Sequence, residues 1–246
     1  MLEEIFNIRE HIGIVTGAKG QLGTELYRTL SQCQATMIGV DQCDYDITDY
    51  DATLKAYSDI FSEYGIVDFI INNAGVTTNT FESYEQRSTE SFKHVTDTNM
   101  LGTFNSIKAY ASLIKKSKTF NKKRSIINIA SVYGVVSPDF SVYTDCARVS
   151  PEVYGASKAG IIQMTRYFAV ALSELNVRVN CISPGGIFNK ASPQGEDFVK
   201  RYSARCPMGR MSSVSEMNGA AIFLASDASS YVTGQNIIID GGMTAW

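Results

Sequence analysis

No stretch of this 246-residue chain approaches the 18 uncharged apolar positions that a membrane-spanning helix requires, so nothing in it is expected to cross a bilayer. Charge of one sign is also lacking. The 22 basic and 25 acidic side chains leave a formal net charge of −3, which gives no footprint for nucleic acid or an anionic membrane surface. Histidine is scarce, and the two present, His11 and His94, cannot build a metal centre unaided, so no metal is expected. The five cysteines (Cys33, Cys43, Cys146, Cys181 and Cys206) are odd in number, scattered and without a C-x-x-C pair, which reads as reduced thiols in a cytoplasmic protein. Glu3 and Glu4 stand where a signal peptide would carry positive charge, in keeping with that compartment. An apolar share of 44% is ordinary for a globular chain and excludes disorder or a fibrous repeat. No linker, charge block or internal repeat divides the sequence, so residues 1–246 are expected to form one domain with a substantial core.

What the chain does have is alternation. Short β-branched runs (HIGIVTG, TMIGVD, DFIINNAG, SIINIAS, VRVNCIS and NIIID) are separated by long helical patterns, among them one from about Glu90 to Lys118 and one from Tyr154 to Leu175. Strands of this length alternating with helices predict βαβ crossovers, hence a doubly wound Rossmann-type α/β domain with helices on both faces of a mostly parallel sheet. About seven strands are expected. That count places a third strand at Asp46, although only Gln42 to Tyr45 separates it from the end of the second at Asp41.

The first strand runs into Thr16-Gly17-Ala18-Lys19-Gly20-Gln21-Leu22-Gly23 and then a helix. Small residues there let the backbone approach a pyrophosphate, and the helix N-terminus offers free N–H groups and a positive dipole end. The bland alternative is three turn glycines at a tight connection. The second strand ends at Asp41, whose carboxylate suits the two ribose hydroxyls of NAD and repels the extra phosphate of NADP. Lys19 argues the other way, since a basic side chain could meet that phosphate. NAD is the expected cofactor, with NADP possible.

Further along come Asn72-Asn73-Ala74-Gly75 after a strand, Asn99 within the long helical stretch, Ser131 closing a strand, Tyr154-Gly-Ala-Ser-Lys158 opening a helix, and Pro184-Gly185. With Thr16-Gly17, this ordered set resembles the short-chain dehydrogenase/reductase family over essentially the whole chain. The resemblance implies that Tyr154 is the general acid/base at the substrate oxygen, that Ser131 hydrogen-bonds that oxygen, and that Lys158 holds the nicotinamide ribose. It implies that Asn99 supports a water completing a proton relay through Lys158. Thr16, Gly17, Lys19, Gly20, Gln21, Leu22 and Gly23 would hold the phosphates and Asp41 the ribose. Asp46 and Ile47 would meet the adenine, Asn73, Ala74 and Gly75 would line the cofactor, and Pro184, Gly185 and Ile187 would reach the carboxamide. Tyr154 and Lys158 at i and i+4 share one helix face. A phenol, titrating at about 10 unperturbed, is expected to have its pKa lowered by that ammonium.

The chain also departs from the family. Its glycine spacing, T-G-x-x-G-x-x-G, resembles the longer sugar-nucleotide-modifying branch, yet the C-terminal half, ISPGGIF and GQNIIIDGG, is of the compact type. Ser131 and Tyr154 stand 23 positions apart because of an insertion around Pro138 to Pro151. These mixed features are similar to reductases of bacterial surface-sugar and flagellin-modification pathways. The insertion offers other tyrosines, but Tyr143 has Ala147 and Tyr133 has Ser137 where a lysine partner should be.

The expected activity is an NAD(P)-dependent interconversion of a secondary alcohol and a ketone. The alternatives are an NAD-retaining sugar epimerase or dehydratase and a non-catalytic NAD-binding regulatory protein. Apolar residues beyond one stripe on both long helices predict a homo-oligomer, a tetramer or a dimer. Lys190, Lys200, Arg201, Arg205 and Arg210 after Pro184-Gly185, with Arg148 in the insertion, suggest a polar, anionic, sugar-like substrate.

Overall fold

The computed structural model describes residues 2–78, 83–144, 149–191 and 194–246. Six parallel strands, β1 (Ile12–Thr16), β2 (Thr36–Val40), β3 (Phe69–Asn72), β4 (Arg124–Ile129), β5 (Val177–Pro184) and β6 (Asn236–Ile239), form one sheet in the order β2-β1-β3-β4-β5-β6. The helices are α1 (Leu2–Ile5), α2 (Gln21–Gln32), α3 (Tyr50–Tyr64), α4 (Thr89–Thr96), α5 (Gly102–Ser117), α6 (Glu152–Ala171), α7 (Glu196–Arg205) and α8 (Asn218–Ala225).

Successive residues of a strand point to opposite faces, so each apolar run feeds two cores. Ile14, Ile70, Ile126 and Val179 pack with Tyr57 of α3 and with Ile107, Tyr110 and Ile114 of α5. Val15, Ile71, Ile127 and Ile182, on the opposite face of the same strands, pack with Leu26 and Leu30 of α2 and Ala221 and Leu224 of α8. Burial on both faces explains why these strands read as continuous hydrophobic runs rather than as polar-apolar alternation.

Among the described residues the sheet has six strands, not the expected seven. A parallel neighbour needs a crossover of about a dozen residues or more, and the four from Gln42 to Tyr45 are too few. The segment folds instead as consecutive turns. Asp44 N donates to Asp41 O at 2.8 Å, Asp49 N to Asp46 O at 3.0 Å, and Thr48 N to the Asp46 carboxylate at 2.9 Å. Asp49 then caps α3 by accepting from Asp51 N and Ala52 N. β2 is left as the sheet edge. The long helical stretch from Glu90 is likewise not one uniform helix, because a π-helical turn, Asp97–Leu101, separates α4 from α5 and carries the buried Asn99. Single π turns of this kind are concentrated at functional sites.

A buried polar chain ties the helices to the middle of the sheet. Tyr57 and Ser106 share a hydrogen bond at 2.7 Å, and Ser106 Oγ donates to Asn72 Oδ1 at 2.5 Å. Asn72 Nδ2 donates to Asn128 Oδ1 at 2.8 Å, and Asn128 Nδ2 to Thr165 Oγ1 on α6 at 2.9 Å. Burial pushes the Tyr57 phenol up to about 12, so it stays protonated. Every member is partnered, which makes the chain costly to interrupt. Asn128→Ala should destabilise the protein by on the order of 1–3 kcal/mol for each group left unpaired. Chemical denaturation checks this, and a midpoint equal to that of the wild type would contradict the burial of the chain.

Candidate active site

The turn between β1 and α2 is shaped for close approach. Gly17 has φ +65°, and a Cβ there would lie 2.8 Å from Ala74 Cα; beneath it, a Cβ on Gly23 would lie 2.0 Å from Gly17 O. Only glycine fits both positions. Thr16 Oγ1 accepts from Asn73 N and Ala74 N at 3.1 and 3.0 Å, while Asn73 Nδ2 donates to Thr16 O and Gly17 O at 3.0 and 2.9 Å. No side chain caps α2 and its first turn holds no acidic residue, so its N-terminus is open to an anion.

Over this turn lies a cleft of about 350 Å³ lined by Thr16, Gly17, Gly20, Gln21, Leu22, Asp41, Asp46, Ile47, Asn73, Ala74 and Gly75 among others. Val40, Gln42, Tyr45, Val76, His94 and Thr98 also line it, and none of them carried a sequence motif. Asp41 accepts from Lys19 N and Gln42 N at 2.8 Å each. Lys19 turns its ammonium to Cys43 Sγ at 2.7 Å, which raises its pKa, and it lines neither cleft; Gly23 packs below rather than in the wall. The glycine cradle and the open helix end fit the pyrophosphate of a dinucleotide.

A second cleft, of about 780 Å³, shares Gln21, Leu22, Asn73, Gly75 and Val76 with the first, so the two meet over the C-terminal ends of β1 and β3. Ser131, Tyr154, Lys158, Pro184, Gly185 and Ile187 line it. Tyr154 lies beside Ser131, which lowers the pKa of its phenol, and Ser131 Oγ caps the 3₁₀ turn Val132–Gly134 by accepting from Tyr133 N. Lys158 Nζ donates to Ile129 O at 2.9 Å and stands 5.6 Å from the centre of the Tyr154 ring. Asn99 Oδ1 accepts from Val76 N at 2.8 Å, and its Nδ2 donates to Val76 O and Ser157 Oγ. Asn99 and Lys158 converge on Gly75, where a Cβ would lie 3.2 Å from Asn99 Oδ1 and 3.3 Å from Lys158 Nζ.

The electrostatics differ in one respect from expectation. Burial raises the Tyr154 phenol, and Ser131, not Lys158, is what opposes that rise. Burial also lowers Lys158 to about 8, because the ammonium is taken out of water with a single carbonyl partner. Tyr133 and Tyr143, the other phenols between Ser131 and Tyr154, hydrogen-bond each other at 2.8 Å.

The basic side chains expected around the substrate are turned elsewhere. Arg201 pairs with Asp197 at 2.6 Å, Arg205 with Asp139 at 3.1 Å, and Arg210 with Glu216 at 2.7 Å, where it holds that carboxyl down to about 2. Lys190 and Lys200 are exposed, and none of the five lines the larger cleft. Arg148 lies outside the described residues. Among the described residues the arrangement gives no support to an anionic substrate.

A family model described as Enoyl-(Acyl carrier protein) reductase matches residues 17–244. The chain belongs to the short-chain dehydrogenase/reductase family. The 3-oxoacyl-[acyl-carrier-protein] reductase FabG of Chlamydia trachomatis is 32% identical over 93% of this chain and 86% of its own. The NAD-dependent glycerol dehydrogenase of Listeria innocua is 30% identical over 97% of this chain and 96% of its own. A short-chain dehydrogenase from Leptospira borgpetersenii, solved with bound NAD+, is 36% identical and superposes with a TM-score of 0.86 over 97% of this chain and 94% of that one. As a member of this family, the protein is an oxidoreductase that acts on CH–OH groups with a nicotinamide cofactor. Among the described residues no helix is long and apolar enough to cross a membrane.

Proposed function

We propose that the protein interconverts a secondary alcohol and a ketone, with Tyr154 as the general acid/base, and that NAD is its preferred cofactor. The observation that carries this reading is the convergence of Lys158 and Asn99 on Gly75, where the two clefts meet, with Ser131 and Tyr154 lining the larger of them. Bound nicotinamide supplies the two-electron acceptor or donor. The chain supplies proton transfer and orientation. In oxidation the deprotonated Tyr154 oxygen takes the proton of the substrate hydroxyl, and in reduction the phenol returns it to the carbonyl oxygen. Ser131 holds the substrate oxygen next to that phenol. Lys158 holds the ribose hydroxyls and favours the phenolate. Asn99 supports the relay by clamping Val76 and Ser157 around the lysine. Thr16, Gly17, Gly20, Gln21, Leu22, Asn73 and Ala74 cradle the phosphates, with Gly23 and Lys19 shaping the turn. Asp46 and Ile47 meet the adenine; Pro184, Gly185 and Ile187 meet the carboxamide. Absorbance of reduced nicotinamide, followed with a panel of alcohols and both cofactors, tests the proposal. Failure of every alcohol with both would overturn it.

Asp41 lines the smaller cleft, and among the described residues no cation is paired with its carboxylate, so its negative charge would oppose the additional phosphate of NADP. Asp41→Ala should weaken NAD and shift the NAD:NADP preference toward NADP by about tenfold or more, the equivalent of 1.4 kcal/mol. Titration of both cofactors against both proteins checks this. A wild type that already prefers NADP tenfold would contradict it.

The proposed homo-oligomer rests on apolar side chains turned outward from the central helices. Tyr167 and Val170 of α6 are 66% and 78% exposed, and Phe104 of α5 and Leu101 just before it are exposed as well. Exposed apolar side chains on both helices are what a subunit interface would cover. Light scattering at micromolar concentration should give a multiple of 27.0 kDa, and a monomer would contradict the assignment.

A further inference from the structure

Gln21 opens α2 and lines both clefts, at the place where they meet. It is exposed, and its side chain reaches a distant part of the chain. Nε2 donates to Phe188 O at 3.0 Å, across a separation of 167 positions. Phe188 ends the run Gly186 to Phe188 just beyond β5, in which Gly186 and Ile187 line the larger cleft. Ser212, Tyr202 and Gln194 hold this run from the C-terminal side. Phe188 N donates to Ser212 O at 2.9 Å and Ser212 N to Gly186 O at 3.0 Å. Gly186 N donates to the Tyr202 hydroxyl, and Gln194 Nε2 to Ile187 O at 3.3 Å. Among the described residues, Gln21 supplies the hydrogen bond that joins the run to the glycine turn.

A single exposed hydrogen bond adds little to folding, so what this one offers is its place. It ties the turn shaped for dinucleotide phosphates to a wall of the cleft that holds Ser131 and Tyr154. Phosphates seated at the N-terminus of α2 would hold the backbone of Gly20, Gln21 and Leu22. With its backbone held, Gln21 loses less freedom on reaching Phe188 O, and the bond is stronger for it. We infer that Gln21 is a positioning residue that couples the two clefts: a dinucleotide on the turn steadies the run Gly186 to Phe188, and with it the Ile187 side of the substrate cleft. The coupling is reciprocal, so a substrate that settles the run tightens the cofactor. This rests on the dehydrogenase reading above and deepens it.

Hydrogen–deuterium exchange of the full-length protein, with and without NADH, tests the coupling in the wild type, Gln21→Met and Gln194→Met. Each substitution keeps the length of the side chain and removes one donor to the run. NADH binding is followed on each protein by its fluorescence. In the wild type, NADH should slow exchange across residues 186–191. Gln21→Met should lose about 2- to 12-fold of that slowing, the weight of one neutral hydrogen bond. Its NADH affinity should change by less than that factor, because the backbone N–H groups of the turn remain. Gln194→Met should speed exchange alike with and without NADH and keep the wild-type slowing. Three results would overturn the inference while leaving the dehydrogenase reading intact. One is the same effect of NADH, or none, in the wild type and Gln21→Met. Another is an equal loss of slowing in Gln194→Met. The third is a thermal midpoint of Gln21→Met far below that of the wild type, which would make the bond a contact of the fold. A wild type that binds no NADH would remove both readings.

Discussion

Replacing Tyr154 with Phe should lower kcat by about 10²–10⁴, the usual contribution of a positioned acid/base, while NAD affinity changes little. The expectation follows from placement. Tyr154 lies beside Ser131 and shares a helix face with Lys158, whereas Tyr133 and Tyr143 are engaged with each other. The glycine turn, Asn73 and Lys158 are untouched by the substitution, so the cofactor keeps its contacts. Tyr143→Phe is the informative companion. Its loss should appear chiefly in KM, with kcat falling by far less than in Tyr154→Phe. A collapse of kcat confined to Tyr143→Phe, with near-normal turnover in Tyr154→Phe, would reverse the assignment.

Lys158→Met should remove most activity by a different route. Burial holds the Tyr154 phenol above its ordinary range, and the Lys158 ammonium, 5.6 Å from the ring centre, is proposed to favour the phenolate when it is charged. Without it phenolate formation should need a higher pH, leaving less phenolate at neutral pH. The alcohol-oxidation profile of the wild type should rise with pH, and that of Lys158→Met should rise at still higher pH and from a lower base. The apparent pKa belongs to the coupled pair rather than to either residue. An oxidation profile that does not move in Lys158→Met would contradict the coupling. Stability carries the same signature. Lys158 titrates at about 8 in the folded chain against an ordinary 10.5, so between these values the unfolded chain binds the additional proton and folding is favoured as pH rises. Relative to Lys158→Met, the wild type should gain on the order of 3 kcal/mol across that window. Below about pH 8 both states hold the proton and the difference should be flat.

The features legible in the sequence are those set by local spacing. The glycine turn needs Gly17 and Gly23 whatever surrounds it, the i, i+4 relation of Tyr154 and Lys158 is a property of any helix, and the six apolar runs found their places in the sheet. What the sequence did not disclose depends on length limits and on contacts between distant segments. The strand expected at Asp46 failed because four residues cannot make a parallel crossover. The π turn at Asn99 has no composition of its own. Lys19 looked like a phosphate ligand, but Cys43, 24 positions away, takes its ammonium. The arginines after Pro184 looked like an anion site, and their carboxylate partners at Asp139, Asp197 and Glu216 were visible only once the chain was folded. By sequence Tyr143 is a rival to Tyr154, and its pairing with Tyr133 gives it a different place in the same cleft.

The most direct measurement uses an alcohol substrate deuterated at its carbinol carbon. After a single turnover with NAD, the nicotinamide is recovered and its mass determined. Direct transfer between substrate and cofactor predicts that the deuterium is found in the reduced cofactor, with a ketone formed in equal amount. Deuterium retained in an epimerised or dehydrated product with no reduced cofactor released, or lost to water, would contradict the account.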